Sequence, residues 1–145
     1  MNLKMATRHA LFAILELADH PRAQISSAQI AEKYAISPNH LSKVLRTLVC
    51  KGLVEAIRGA GGGYSFVGNA KRVTLLDIIL IFEEIGTPPS HKQEPGDDTA
   101  EGQALRMVMG EIDAISRATL SSITIDTMLK ISRRTPGIGS AVHAL

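Results

Sequence analysis

Apolar residues at Ala10, Leu11, Ile14, Leu15 and Ala18 recur at the i, i+3, i+4 spacing of an amphipathic helix. They predict a helix over 5–19, ended by Pro21. Ser26 and Gln29 form the S-x-x-Q capping box of a second helix, which runs through Ile30 and Ala31 to about Tyr34. Ser37-Pro38 opens a third. The serine is placed to cap free amides, and the proline suits a first turn whose N–H has no helical partner anyway. The inward stripe of this helix is Leu41, Val44, Leu45 and Leu48, and Gly52 closes it in the left-handed conformation.

The period then changes. Residues 53–58 and Tyr64-Ser65-Phe66-Val67 are β-type runs flanking Gly59-Ala60-Gly61-Gly62-Gly63, which predicts a hairpin over 53–67 with a glycine-rich tip. Thr74 and Asp77 form a capping box for a fourth helix carrying Leu75, Ile78, Ile79 and Phe82. Periodicity is lost over 86–103, where Pro, Gly and charged residues predict a long exposed loop. Beyond it Leu105, Val108, Ile112, Ile115 and Thr119 fall at intervals of 3, 4, 3 and 4, a coiled-coil seam. A short helix near 124–131 and a Gly/Pro-containing tail complete the chain. The expected fold is mainly α with a small β-hairpin wing: a winged helix-turn-helix over 1–85, an exposed loop over 86–103, and a dimerisation helix, short helix and tail over 104–145.

Composition supports helices packed by aliphatic side chains. Of the 145 residues 45% are hydrophobic, only 3% are aromatic and none is Trp. No apolar run reaches the roughly 18–20 residues that span a bilayer, and no signal-peptide pattern opens the chain. A single cysteine, Cys50, excludes an internal disulfide and fits the reducing cytoplasm. The net charge of +2 conceals two unlike halves. Residues 1–72 hold ten Lys and Arg against four Asp and Glu (+6), and residues 73–145 hold six against ten (−4). Only the first half is suited to a polyanion.

Candidate chemistry lies in what the core leaves over. The third helix keeps Asn39, His40, Ser42, Lys43, Arg46 and Thr47 off its apolar stripe, and no acid occurs from 37 to 51. Short polar groups reach base edges in the major groove, and long cations reach phosphate. Arg58 stands directly before the glycines, where a cation on a narrow ribbon enters the minor groove. The candidate DNA-contacting set is Ser27, Gln29, Ser37, Asn39, His40, Ser42, Lys43, Arg46, Arg58, Gly59 and Tyr64. The candidate dimer contacts are Leu105, Val108, Ile112 and Ile115.

Ile30-Ala31-Glu32, Ile36-Ser37, Leu41, Leu48, Gly52-Leu53-Val54, Arg58-Gly59, Gly61-Gly62-Gly63-Tyr64 and Val73-Thr74-Leu75-Leu76-Asp77-Ile78 together resemble the bacterial Rrf (type two) family of winged-helix regulators. The resemblance spans about residues 1–85, and the R-G-x-G-G-G-Y wing is its most specific part; the second half resembles the family in layout. It implies a homodimer that binds a palindromic double-stranded DNA operator, with base-reading positions on Ser37, Asn39, Ser42 and Lys43 and a minor-groove arginine at Arg58. A repressor acting in the cytoplasm is the expected role.

The chain departs from the family in one respect. Many members hold an iron–sulfur cluster with three cysteines in the loop after the winged helix, and that loop has none here. His91, Glu94, Asp97 and Asp98 are oxygen and nitrogen donors there, read more simply as a solvated loop, so neither a metal nor a cofactor is expected. Cys50 is a redox candidate if a neighbouring cation activates it, set against a small half-buried residue without a regulatory role. His9, His20 and His143 show no metal-site spacing, and the Met107 and Met109 pair reads as packing. A second functional class is a winged-helix protein-interaction module working with a partner protein; the acid-free third helix and Arg58 favour DNA. A protein or a small molecule is the candidate co-effector. No nucleophile, base and orienting group assemble, so an enzyme is not expected.

Overall fold

A computed structural model describes residues 1–86 and 93–137. His91 and His143, and part of the loop expected at 86–103, lie outside the described residues. The order is α1 (Met5–Asp19), α2 (Ser27–Tyr34), α3 (Pro38–Cys50), β1 (Val54–Ile57), β2 (Gly63–Phe66), α4 (Leu75–Phe82), α5 (Ala100–Ser122) and α6 (Ile125–Arg134). Helices α1–α3 and the antiparallel β1–β2 hairpin form the winged helix, as expected.

The core is centred on α1. Its buried side chains are Thr7, Ala10, Ala13, Ile14 and Leu17, while Leu11, Leu15 and Ala18 pack only partly. The buried stripe is therefore rotated from the expected one. The small Ala13 sits fully inside because neighbouring helices converge on that face, and Leu17 follows it one turn later. Ile30 and Ala31 of α2, and Leu41, Val44, Leu45 and Leu48 of α3, close the same core.

Local chemistry explains the boundaries. In the α2 box Ser26 Oγ accepts from Gln29 N–H at 3.2 Å, and Gln29 Oε1 accepts from Ser26 N–H at 2.9 Å. Thr74 and Asp77 repeat that exchange at α4. Helix α3 ends in a Schellman motif. Leu53 N–H donates to Leu48 O and Gly52 N–H to Val49 O, with Gly52 at φ +74° as expected. Ala35 ends α2 at φ +52°, a conformation that costs an L-residue about 1 kcal/mol. That single αL residue turns the chain from α2 into α3.

Two polar links lock the helices. Lys4, the N-cap of α1, provides no side-chain cap; Glu83, from the end of α4, does so from a distance. Its carboxylate accepts the Lys4 N–H at 2.8 Å and the hydroxyl of the buried Thr7. A negative charge at a helix N-terminus is favourable. Across α1 and α2, Glu16 accepts from Tyr34 Oη and pairs with Lys33 Nζ, each at 2.6 Å, while Phe12 stacks on Tyr34 at 4.9 Å. Burial alone raises the Glu16 carboxyl, but the two donors outweigh it and hold it below the ordinary range.

Two features depart from the expected layout. The first is a third β partner: Ile25 exchanges both backbone hydrogen bonds with Tyr64, at 2.8 and 3.1 Å. The close approach fixes Gly63, because a Cβ there would lie 2.7 Å from Ile25 O. Gly63→Ala is expected to lower stability by about 1–3 kcal/mol, read from thermal unfolding; an unchanged midpoint would show that this bridge does not form. The second concerns the unit expected over 104–145. Helix α6 packs on the winged-helix core: Ile125 and Leu129 are buried in the α1 core, Thr74 bridges to Thr124, and Arg133 pairs with Asp19 at 2.9 Å. The chain leaves the core with α5 and returns to it.

Helix α5 differs from the others. Its 23 residues include none that is buried. Leu105, Val108, Ile112 and Ile115 are 64%, 53%, 50% and 66% exposed. Apart from Gly102 in its first turn, its partly covered positions, Asp113, Ser116 and Leu120, each follow a seam residue by one, about 100° around the helix. The seam thus faces away from α4. Six of the thirteen exposed large hydrophobics among the described residues lie on this helix, which marks it as an incomplete surface.

Candidate nucleic-acid interface

The outward face of α3 follows from its inward one. With Leu41, Val44, Leu45 and Leu48 buried, Asn39, His40, Ser42, Lys43 and Arg46 are exposed, and Thr47 is half-buried. Ser37 takes the N-cap position but its side chain makes no capping hydrogen bond, contrary to expectation. With Pro38 lacking an N–H, the amides of Asn39 and His40 have no partner among the described residues. A helix start with open amides attracts phosphate.

Two side chains have restricted polarity. Ser42 Oγ donates to Pro38 O at 2.9 Å, so the hydroxyl offers only lone pairs outward. Gln29 Oε1 is engaged by Ser26, so that side chain offers its NH₂ donors. Neighbouring Ser27 is half-exposed at the start of α2. The Ile25–Tyr64 bridge brings this helix start against the wing. Tyr64 itself is half-buried and packs on the core.

The wing tip is narrow and preset. Gly59 and Gly61 have φ of +104° and +75°, and Gly62 N–H donates to Gly59 O at 2.9 Å. A Cβ on Gly62 would lie 2.3 Å from Ile57 O. The glycines are therefore required by the turn itself. Arg58 is exposed at this tip. The ion pairs among the described residues employ Lys33, Arg106, Lys130, Arg133 and His20, so Lys43, Arg46 and Arg58 are left without acidic partners.

His9 was not distinguished by sequence spacing. It lies on α1, yet its ring centroid is 6.4 Å from that of His40 on α3. Burial lowers its pKa, and the nearby His40 and Arg8 lower it further. Only tertiary packing brings together two residues so far apart in the chain. Cys50 is exposed at the end of α3, not half-buried as expected.

The profile of the Rrf2 family, described as an iron-dependent transcriptional regulator, matches residues 3–131. The chain is similar to the HTH-type transcriptional regulator BadM of Rhodopseudomonas palustris, 46% identical over 151 aligned positions that cover 99% of this chain and 96% of the relative. Among solved structures it is similar to IscR of T. potens, with TM-score 0.70, 26% identity and coverage of 94% of each chain. It shares its fold with CymR of B. subtilis, described as a global cysteine regulator, at TM-score 0.71 and 23% identity over 90% of this chain and 98% of that one.

The family description raises the question of iron. Clusters are held chiefly by thiolates, and the chain has one cysteine, on α3. Ahead of α5, Asp97 pairs with Arg106 at 2.6 Å and accepts the Glu94 N–H at 2.9 Å, so its carboxylate is already engaged. Among the described residues no three His, Cys, Asp or Glu side chains converge on a metal position. This donor set does not fit a cysteine-held cluster.

Proposed function

This chain belongs to the Rrf2 family of transcriptional regulators, and we propose that it is a homodimeric, sequence-specific repressor that works in the cytoplasm without an iron–sulfur cluster. The observation that carries the DNA reading is the outward face of α3: open amides at its start, Lys43 and Arg46 unpaired, and no acid along it. In this reading Ser37, Asn39, His40, Ser42 and Lys43 face the major groove. Ser42 accepts and Gln29 donates, Arg46 and Ser27 contact the backbone, and Arg58 with Gly59 enters the minor groove. Tyr64 acts by holding the wing against α2.

The α5 seam supplies the dimer contact through Leu105, Val108, Ile112 and Ile115. Two-fold symmetry then pairs the recognition helices over half-sites about 34 Å apart, which makes the operator palindromic. A dimer seated over both half-sites occludes the DNA it covers, hence repression as the proposed direction.

Selection of bound fragments from genomic DNA, followed by titration at rising salt, tests this reading. Phosphate neutralisation makes the affinity of the selected palindrome fall by about 10³-fold or more between 50 and 200 mM salt. Salt-independent binding, or no enrichment of a palindrome, would refute it.

A further inference from the structure

We propose that the cleft between the start of α1 and the recognition helix binds a small organic carboxylate with an apolar body. The cleft has a volume of about 230 Å³ and is lined by Met5, Ala6 and His9 of α1 and by His40, Lys43 and Val44 of α3. The lining is chiefly hydrocarbon, from Met5, Ala6, Val44 and the carbons of the other three residues; His9, His40 and Lys43 also carry the N–H groups available there, and among the described residues no carboxylate lines it. Among the described residues Lys43 has no ion-pair partner, so its charge is available to a ligand.

The chemistry of the lining selects the ligand class. One ammonium and two imidazoles match a single carboxylate, since charge-assisted hydrogen bonds are the stronger ones. The apolar wall discriminates against acetate and inorganic phosphate, which bring no hydrocarbon to bury. A volume below the roughly 300–1,000 Å³ of drug-sized pockets limits the body to one ring or a short branched chain. A ligand seated here takes Lys43 and His40 from the α3 face, so it weakens operator binding. Ligand binding stands on the cleft alone; the antagonism rests on the proposed function.

Calorimetric titration of the full chain without DNA, using phenylacetate and isovalerate against acetate and inorganic phosphate, tests the site. The two apolar acids are expected to saturate one site per chain, about tenfold or more tighter than either control. Lys43→Ala is expected to weaken them about tenfold. Ala6→Leu, which fills the exposed cleft mouth without touching the core, is expected to abolish binding while the thermal midpoint is unchanged. No saturation below about 10 mM, phosphate binding as tightly as the apolar acids, or full binding by Ala6→Leu would each overturn the site. Operator titration with saturating acid separates the two readings. A lower affinity in wild type but not in Ala6→Leu supports the antagonism. Acid binding with unaltered operator affinity overturns the antagonism and removes Lys43 from the DNA contacts.

Discussion

Ile112→Glu is expected to convert the proposed dimer to a monomer at micromolar concentration, with the fold of each chain intact. Ile112 occupies the middle of the α5 seam, between Val108 and Ile115, and half of its surface is uncovered within one chain. In a dimer joined through this seam its neighbours are the apolar residues of a second copy. An unpaired carboxylate placed there loses its hydration without gaining a partner, a cost of several kcal/mol. Since no α5 side chain is buried within the chain, the substitution removes nothing from the core around α1. The unfolding midpoint of the diluted monomer and its helical content should therefore persist. Sedimentation velocity reads the assembly state directly. The same variant should bind a full palindrome no better than a half-site, because two linked half-site contacts reinforce one another and separate ones do not. A variant that still sediments as a dimer would mean that another surface joins the chains.

Much of the winged helix was legible in the sequence because its signals are local. Both capping boxes, Pro38 at the start of α3, Gly52 at its end and the glycine-rich tip act within a few residues of themselves, and all recur in the structure. What the sequence hid depends on distant partners. The α1 stripe was misplaced because Leu11 and Leu15 are as apolar as Leu17, and only the approach of α3, α4 and α6 decides which of them is enclosed. Ile25 lies in a stretch of turn residues, and its pairing with Tyr64 exists only once the hairpin folds back. Helix α6 follows a charged loop and an exposed helix, so sequence order alone does not show what it packs against. Two buried residues, Ile125 and Leu129, tie it to the α1 core.

The candidate site divides along the same line. The exposed set on α3 followed by subtraction from its apolar stripe, and the structure leaves it exposed. Finer properties, such as the unused Ser37 cap, the inward proton of Ser42 and the engaged carbonyl of Gln29, depend on individual hydrogen bonds that residue type does not decide. The cleft that joins His9 to His40 needed both helices in place.

Arg58→Ala is expected to weaken operator binding by about 1–3 kcal/mol, or roughly 5- to 150-fold, at physiological salt. The side chain projects from a tip whose shape is set by Gly59, Gly61 and Gly62, and it has no ion-pair partner among the described residues, so its removal leaves the hairpin and the core as they are. Stability should change by no more than about 0.5 kcal/mol, as for surface positions in general. The loss then belongs to the complex. Two contributions to it are separable. If Arg58 serves only as a charge near phosphate, Arg58→Lys restores most of the affinity, and Arg58→Ala lowers the salt slope by about one. If the guanidinium enters a narrow minor groove, Lys restores the slope but not the affinity, because the more strongly hydrated ammonium pays more to enter and lacks the planar fork. The second result is the expected one, with the sharpest loss on operators whose A·T-rich segment lies beneath the wing. Equal affinities for wild type and Arg58→Ala across such operators would place the wing outside the groove and leave recognition to α3.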